Sequence, residues 1–122
     1  MDLELKNQSV AVFGGAGTIG QAVVKRFIEE GCQVLIFDAH PSTDEISKNM
    51  HENVLSIRSN VVDYEAVKMG LKDATNRFGR IDHVVFSVGA GSGKFGFPFW
   101  NLEPSDWSRI LNPLLSLAMR RI

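Results

Sequence analysis

The chain has 122 residues, 44% of them apolar and 22% charged, and a formal net charge of −1. That length suits one domain or part of a larger one, and the charge balance offers no whole-surface attraction for nucleic acid or another polyanion. A single cysteine, Cys32, excludes an internal disulfide, and no apolar run approaches the roughly 18 residues that a membrane span needs.

Residues 9–13 form a short apolar run that ends in glycine, which predicts a buried strand. From Ile19 to Glu30 the period becomes helical. Ile19, Ala22 or Val23, and Phe27 or Ile28 supply the apolar stripe, and Gly31 stops the helix. Cys32 follows and is expected to act as a small buried hydrophobe. Residues 34–37 predict a second strand, 41–52 a polar loop with a short helix, and 54–57 a weaker third strand. Asp63 is placed to cap the next helix through its carboxylate. Val67, Leu71, Ala74 and Phe78 mark that helix's buried stripe, and Gly79 ends it.

Residues 81–86 predict a fourth strand. The connection over 87–101, rich in glycine and phenylalanine, is long for a strand-to-helix link and reads as a functional loop. Pro104 suits the first turn of a last helix. Trp107, Ile110, Leu111 and Leu114 are expected to face inward, and Pro113 is expected to kink or break the helix. Strands apolar on both faces that alternate with helices imply an α/β fold, a parallel sheet covered on both sides. Right-handed crossovers then favour a doubly wound sheet of order 3-2-1-4. No repeat or linker divides residues 1–122.

Two glycine-rich stretches compete for a phosphate. The second, from Gly89 through Lys94 to Phe95, imitates a P-loop. However, Val88 stands where the first glycine belongs, and Phe95 stands where a hydroxyl should hold magnesium. It reads as a loop beside a substrate cleft, with Lys94 a solvated charge. The first stretch holds the G-x-G-x-x-G spacing at Gly15, Gly17 and Gly20, between a predicted strand and a predicted helix. Such glycines permit a tight turn and a close approach of backbone to a pyrophosphate, and the helix start offers free N–H groups to the anion.

Asp38 ends the second strand, eighteen residues after Gly20. A carboxylate there accepts hydrogen bonds from both ribose hydroxyls and repels a 2′-phosphate, so NAD is favoured over NADP. Ala39 and His40 follow it, with no arginine close behind. The plainer alternative is that the glycines only shape a turn that Asp38 caps.

These residues resemble the short-chain dehydrogenase/reductase family, over nearly the whole chain. Gly14, Gly15, Ala16, Gly17, Thr18, Ile19 and Gly20 sit where that family has its glycine-rich turn, after Phe13 in place of a threonine. The spacing Gly14-x-x-Gly17-x-x-Gly20 is similar to the extended branch, which includes nucleotide-sugar epimerases. Phe78-Gly79-Arg80-Ile81-Asp82 and Asp106-Trp107 resemble landmarks of the compact branch, which is favoured. The resemblance implies a Rossmann-like domain in which Asn60 and Val61 border the adenine, with Asn60 standing for the usual aspartate. It also implies that Ser87 and Gly89 close the strand end beside the cofactor. A family asparagine falls on Leu114, and Asn112 would point elsewhere.

The family chemistry is hydride transfer between a nicotinamide and a carbonyl or alcohol carbon. The resemblance puts the catalytic serine and the Tyr-x-x-x-Lys pair beyond Ile122. No catalytic residue is therefore assigned within the chain, and no turnover is expected from it alone. Tyr64 is expected to pack at the surface, and His40, His51 and His83 lack metal-like spacing.

Two functions stay open. One is the NAD-binding half of an oxidoreductase acting on a small molecule. The other is a non-catalytic dinucleotide-binding module or partner subunit. A fragment of a nucleotide-sugar epimerase is a further alternative. An open edge on the fourth strand predicts a homo-oligomer or a partner chain. The acidic opening residues lack the apolar core of a secretory signal, so a cytoplasmic location is expected, with no nucleic-acid or membrane partner.

Overall fold

The computed structural model describes residues 1–89 and 99–118. The elements run β1 (Ser9–Phe13), α1 (Thr18–Glu29), β2 (Gln33–Asp38), α2 (Thr43–Met50), β3 (Val54–Arg58), α3 (Tyr64–Phe78), β4 (His83–Phe86), a 3-10 turn over Phe99–Asn101, and α4 (Pro104–Ala118). The four strands form one parallel sheet of order β3-β2-β1-β4, the doubly wound order expected.

The two-residue period of the strands divides their side chains between two cores. Ala11, Phe13, Leu35 and Phe37 face α3, whose Val67, Leu71 and Ala74 cover them. Val10, Val12, Val34 and Ile36 face the other way, against Val24 of α1 and Val54, with Met50 of α2 packed alongside. Phe13 stands opposite Phe37 and Phe86 in the two ladders. Its ring centroid lies 5.2 Å from that of Phe37 and 5.4 Å from that of Phe86. Gly70 lets α3 lie close to the sheet, since a Cβ there would come 2.6 Å from Ile57 Cδ1.

Helix ends follow the chemistry of their caps. The Gly31 N–H donates to Ile28 O at 2.9 Å and the Cys32 N–H to Phe27 O at 3.0 Å, with Gly31 at φ 82°. This pair of bonds is a Schellman stop, which needs the left-handed conformation that glycine adopts without penalty. Cys32 is then buried, its thiol donating to Leu5 O at 3.3 Å. Burial, with Glu30 and Asp82 adding to it, pushes the thiol pKa up. At the start of α3 the Asp63 carboxylate accepts from the Ala66 N–H at 3.1 Å. Gly79, at φ 89°, ends that helix.

The residues Arg80 and Asp82 tie the lower ends of β1 and β4 together. The Asp82 carboxylate accepts from the Ser9 N–H at 2.9 Å, and the Asp82 N–H donates to Ser9 O at 3.0 Å. The Ser9 hydroxyl donates to Arg80 O, and the Arg80 guanidinium pairs with Asp82. The Ser9 N–H holds the Asp82 carboxyl below the usual carboxylate range; partial burial works against this, and Arg80 adds to it.

Three expectations are corrected. The stripe of α1 is Gly20 and Val24, with Val23, Phe27 and Ile28 beside them, while Ile19 and Ala22 are exposed. The helix begins at Thr18, so Ile19 falls in its open first turn and the inward face is one residue further on. Trp107 and Leu111 of α4 are exposed rather than inward, and Ile110 is half-buried. The α4 helix also runs on past Pro113 to Ala118. So α4 does not break there, although an interior proline removes one helix bond and crowds the carbonyl four residues back. Pro104 does stand at its first position, and the Asp106 carboxylate accepts from the Glu103 N–H at 2.7 Å. The side chain of Leu114, together with Ser92, Lys94 and Phe95 of the false P-loop, lies outside the described residues.

Candidate dinucleotide site

The upper ends of β1, β2 and β4 meet the turn between β1 and α1. There they enclose a cleft of about 310 Å³, lined by Gly14, Gly17, Asp38, Ala39, His40, Asn60, Val61, Ser87, Val88 and Gly89. Each strand places its share by register. The Gly14 N–H donates to Phe37 O at 2.8 Å and the Ser87 N–H to Phe13 O at 2.8 Å, so both neighbours are gripped where β1 ends.

The glycines of the turn do different work. Gly14 holds φ 82°, and a Cβ on it would lie 2.5 Å from Ser87 O. It is therefore the turn's obligatory glycine, which agrees with the Gly14-x-x-Gly17-x-x-Gly20 spacing rather than with Gly15 as the first of three. A Cβ on Gly20 would overlap Gly14 O and lie 2.8 Å from Gly14 C, so this position lets helix and turn pack together. A Cβ on Gly15 would come 2.9 Å from Ile36 Cγ2. Around Gly17 only Gly14 O, at 3.4 Å, would be near. Gly17 alone of the four keeps space open on the cleft side.

Gly17 also caps α1, with no side-chain capping bond and no acidic residue in the first turn. The first intrahelical bond runs from the Gln21 N–H to Gly17 O at 2.8 Å. The N–H groups of Thr18, Ile19 and Gly20 thus belong to the open first turn, at the positive end of the helix dipole.

Asp38 is held from two sides. Its Oδ2 accepts from the Ala16 N–H at 3.0 Å and its Oδ1 from the His40 N–H at 3.0 Å. Each oxygen keeps further acceptor capacity. Asp38 therefore does cap turns, as the plainer alternative supposed, and it lines the cleft as well. Ala16 is buried, and its N–H is committed to Asp38 rather than aimed outward. Asn60 Oδ1 accepts from the Val62 N–H at 3.0 Å, and Val61 is shared between the cleft and the core beneath it.

The expected residues Gly14, Gly17, Asp38, Asn60, Val61, Ser87 and Gly89 are thus brought together, whereas Gly15, Ala16, Thr18, Ile19 and Gly20 do not line the cleft. Sequence reasoning missed Ala39, His40 and Val88, whose signal was adjacency to Asp38 and Gly89. It also missed Arg58. Distant in the chain, Arg58 stands opposite Asp38 in the β2–β3 register and donates to Pro41 O at 3.4 Å.

A Tyr-x-x-x-Lys spacing does occur within the chain, at Tyr64 and Lys68. Both are exposed on α3 and neither lines the cleft. That spacing therefore places no acid–base pair at the site. Among the described residues no three His, Cys, Asp or Glu gather for a metal, and no helix is long and apolar enough to cross a membrane.

The model of the short chain dehydrogenase family matches residues 8–115. The chain belongs to the short-chain dehydrogenase family. Among relatives of this short-chain dehydrogenase sequence, the cis-2,3-dihydrobiphenyl-2,3-diol dehydrogenase of Paraburkholderia xenovorans is 33% identical over 88 residues, 71% of this chain and 32% of that protein. The acetoacetyl-CoA reductase of Synechocystis is 30% identical over 112 residues, 92% of this chain and 43% of that protein. Among solved structures, a 3-ketoacyl-(acyl-carrier-protein) reductase from Brucella melitensis, complexed with NADH, superposes with a TM-score of 0.86 at 20% identity, covering 94% of this chain and 47% of that one. A short chain dehydrogenase from Mycobacterium smegmatis gives 0.82 at 29% identity, covering 94% and 48%. The chain spans less than half the length of each of these proteins.

Proposed function

We propose that residues 1–122 are the cofactor-binding half of an oxidoreductase and take NAD in preference to NADP. The observation that carries this is the carboxylate of Asp38, fixed by the Ala16 and His40 N–H groups in a cleft that Gly17, the N-cap of α1, also lines. A pyrophosphate fits that helix start, where Gly17 leaves the space a Cβ would fill and no side chain competes for the amides. The adenosine ribose then falls to Asp38, and the adenine to Val61 and Asn60. The NADH named for the Brucella structure agrees with this reading.

A bound nicotinamide supplies the hydride; the protein supplies orientation and a proton carrier. The described cleft contributes orientation only. Its glycines hold the backbone close, and Asp38 sets the register of the sugar. The substrate is a small molecule with a carbonyl or alcohol carbon, if a further part of the fold completes the site. Because neither Tyr64 nor Lys68 lines the cleft, a non-catalytic dinucleotide-binding module remains the second reading.

Val84 and Phe86 of the edge strand β4, with Trp107 and Leu111 of α4, present apolar surface that a second copy or a partner chain would cover. Calorimetric titration with NAD and NADP tests the binding. Tight NAD and weak NADP are expected, and failure to bind either rejects the reading. A screen of alcohols with NAD separates enzyme from module; this chain by itself is expected to show no turnover.

A further inference from the structure

We propose that His40 is a second sugar-reading residue of the cleft, a hydrogen-bond donor set beside the acceptor Asp38. The inference rests on the dinucleotide reading above. His40 lines the cleft next to Asp38 and Ala39. Its backbone N–H donates to Asp38 Oδ1 at 3.0 Å, which locks the two residues into one turn. Its carbonyl accepts from the Thr43 N–H at 3.1 Å and from the Thr43 hydroxyl at 2.7 Å, and Thr43 is fully buried. The turn is therefore anchored to the start of α2, although the imidazole itself is exposed.

The ring's chemistry follows from its partner. Nδ1 accepts from the Ser42 N–H at 3.1 Å. A ring nitrogen that accepts carries no hydrogen, so the neutral imidazole holds its proton on Nε2. Among the described residues nothing accepts from Nε2. A carboxylate offers acceptors only, whereas each hydroxyl of a vicinal diol both donates and accepts. Asp38 takes the hydroxyl hydrogens, and the Nε2–H of His40 donates to a hydroxyl oxygen. Together the two residues select a ribose with free hydroxyls. Asp38 of β2, Arg58 of β3 and Asp44 of α2 are the charged groups around this turn.

The test is calorimetric titration of the wild-type chain, His40→Ala and His40→Gln with NAD and with ADP-ribose, which lacks the nicotinamide. Loss of one hydrogen bond in H40A is expected to weaken both ligands by about five- to tenfold. H40Q keeps an N–H donor and is expected to stay within about threefold of wild type. Circular dichroism should show both variants folded, with H40A melting slightly lower because the Ser42 N–H loses its Nδ1 acceptor. The donor role is overturned if H40A binds as tightly as wild type, if H40Q falls as far as H40A, or if NAD is weakened and ADP-ribose is not. A wild-type chain that binds neither NAD nor NADP sinks the dinucleotide reading and this inference with it. Wild-type binding that is unchanged in H40A sinks this inference alone.

Discussion

The Ala16 N–H donates to Asp38 Oδ2 at 3.0 Å across a separation of 22 residues. One carboxylate thus fastens the glycine turn to the end of β2 and still faces the cleft with unused lone pairs.

Replacing that carboxylate should separate the two cofactors. Asp38→Ala removes charge-assisted hydrogen bonds worth about 1.5–3 kcal/mol each, so NAD affinity should drop by roughly tenfold or more. NADP should lose less, since the repulsion of its 2′-phosphate goes too and Arg58 stands opposite in the ladder. Titration of both ligands decides; an equal loss for the two rejects the ribose role.

Gly20 and Gly17 should answer differently to the same added methyl. Gly20→Ala forces a Cβ into the Gly14 carbonyl, an overpacking that costs about 3 kcal/mol, the upper part of the usual range. Thermal melts should show a clear fall in midpoint. Gly17→Ala meets only Gly14 O, at 3.4 Å and with φ −73°, so its melt should stay close to wild type while NAD binding is lost. A Gly17→Ala variant that still binds NAD normally removes the phosphate from this turn.

Acid should loosen the latch between β1 and β4. The folded-state pKa of Asp82 is depressed, chiefly by the Ser9 N–H. Its contribution is therefore complete above the unfolded value, near pH 4, and disappears as pH falls through the lower folded value. Asp82→Asn should be less stable than wild type at pH 7 in urea, and the gap should narrow below about pH 4. A gap that stays constant between pH 7 and pH 3 would show that the carboxylate's charge is irrelevant to the latch.

The β4 edge should associate. His83–Phe86 carries no proline or acidic residue, and Val84 and Phe86 are 39% and 43% exposed. Such an edge is open to strand pairing. Light scattering should show a mass that rises with concentration, and Val84→Lys should shift that rise at least about tenfold upward in concentration, as a charge on an edge strand does. A stable wild-type monomer at high concentration would leave this face without a partner.

The residue pattern by itself showed the caps at Asp63, Gly31 and Gly79, and the glycine turn followed by an acid at Asp38, because each is a local device; the strand order it only favoured, through the handedness of crossovers. Strands apolar on both faces favour a covered parallel sheet, and a glycine in the left-handed conformation stops a helix. Tertiary structure decided between the two glycine spacings, since the positive φ of Gly14 and its contact with Ser87 single it out over Gly15. It alone spent the Ala16 N–H on Asp38, brought Arg58 and His40 to the same corner, and left Trp107 outside. Periodicity shows that a helix has an apolar side, but whether another element lies against that side depends on contacts between residues far apart in the chain.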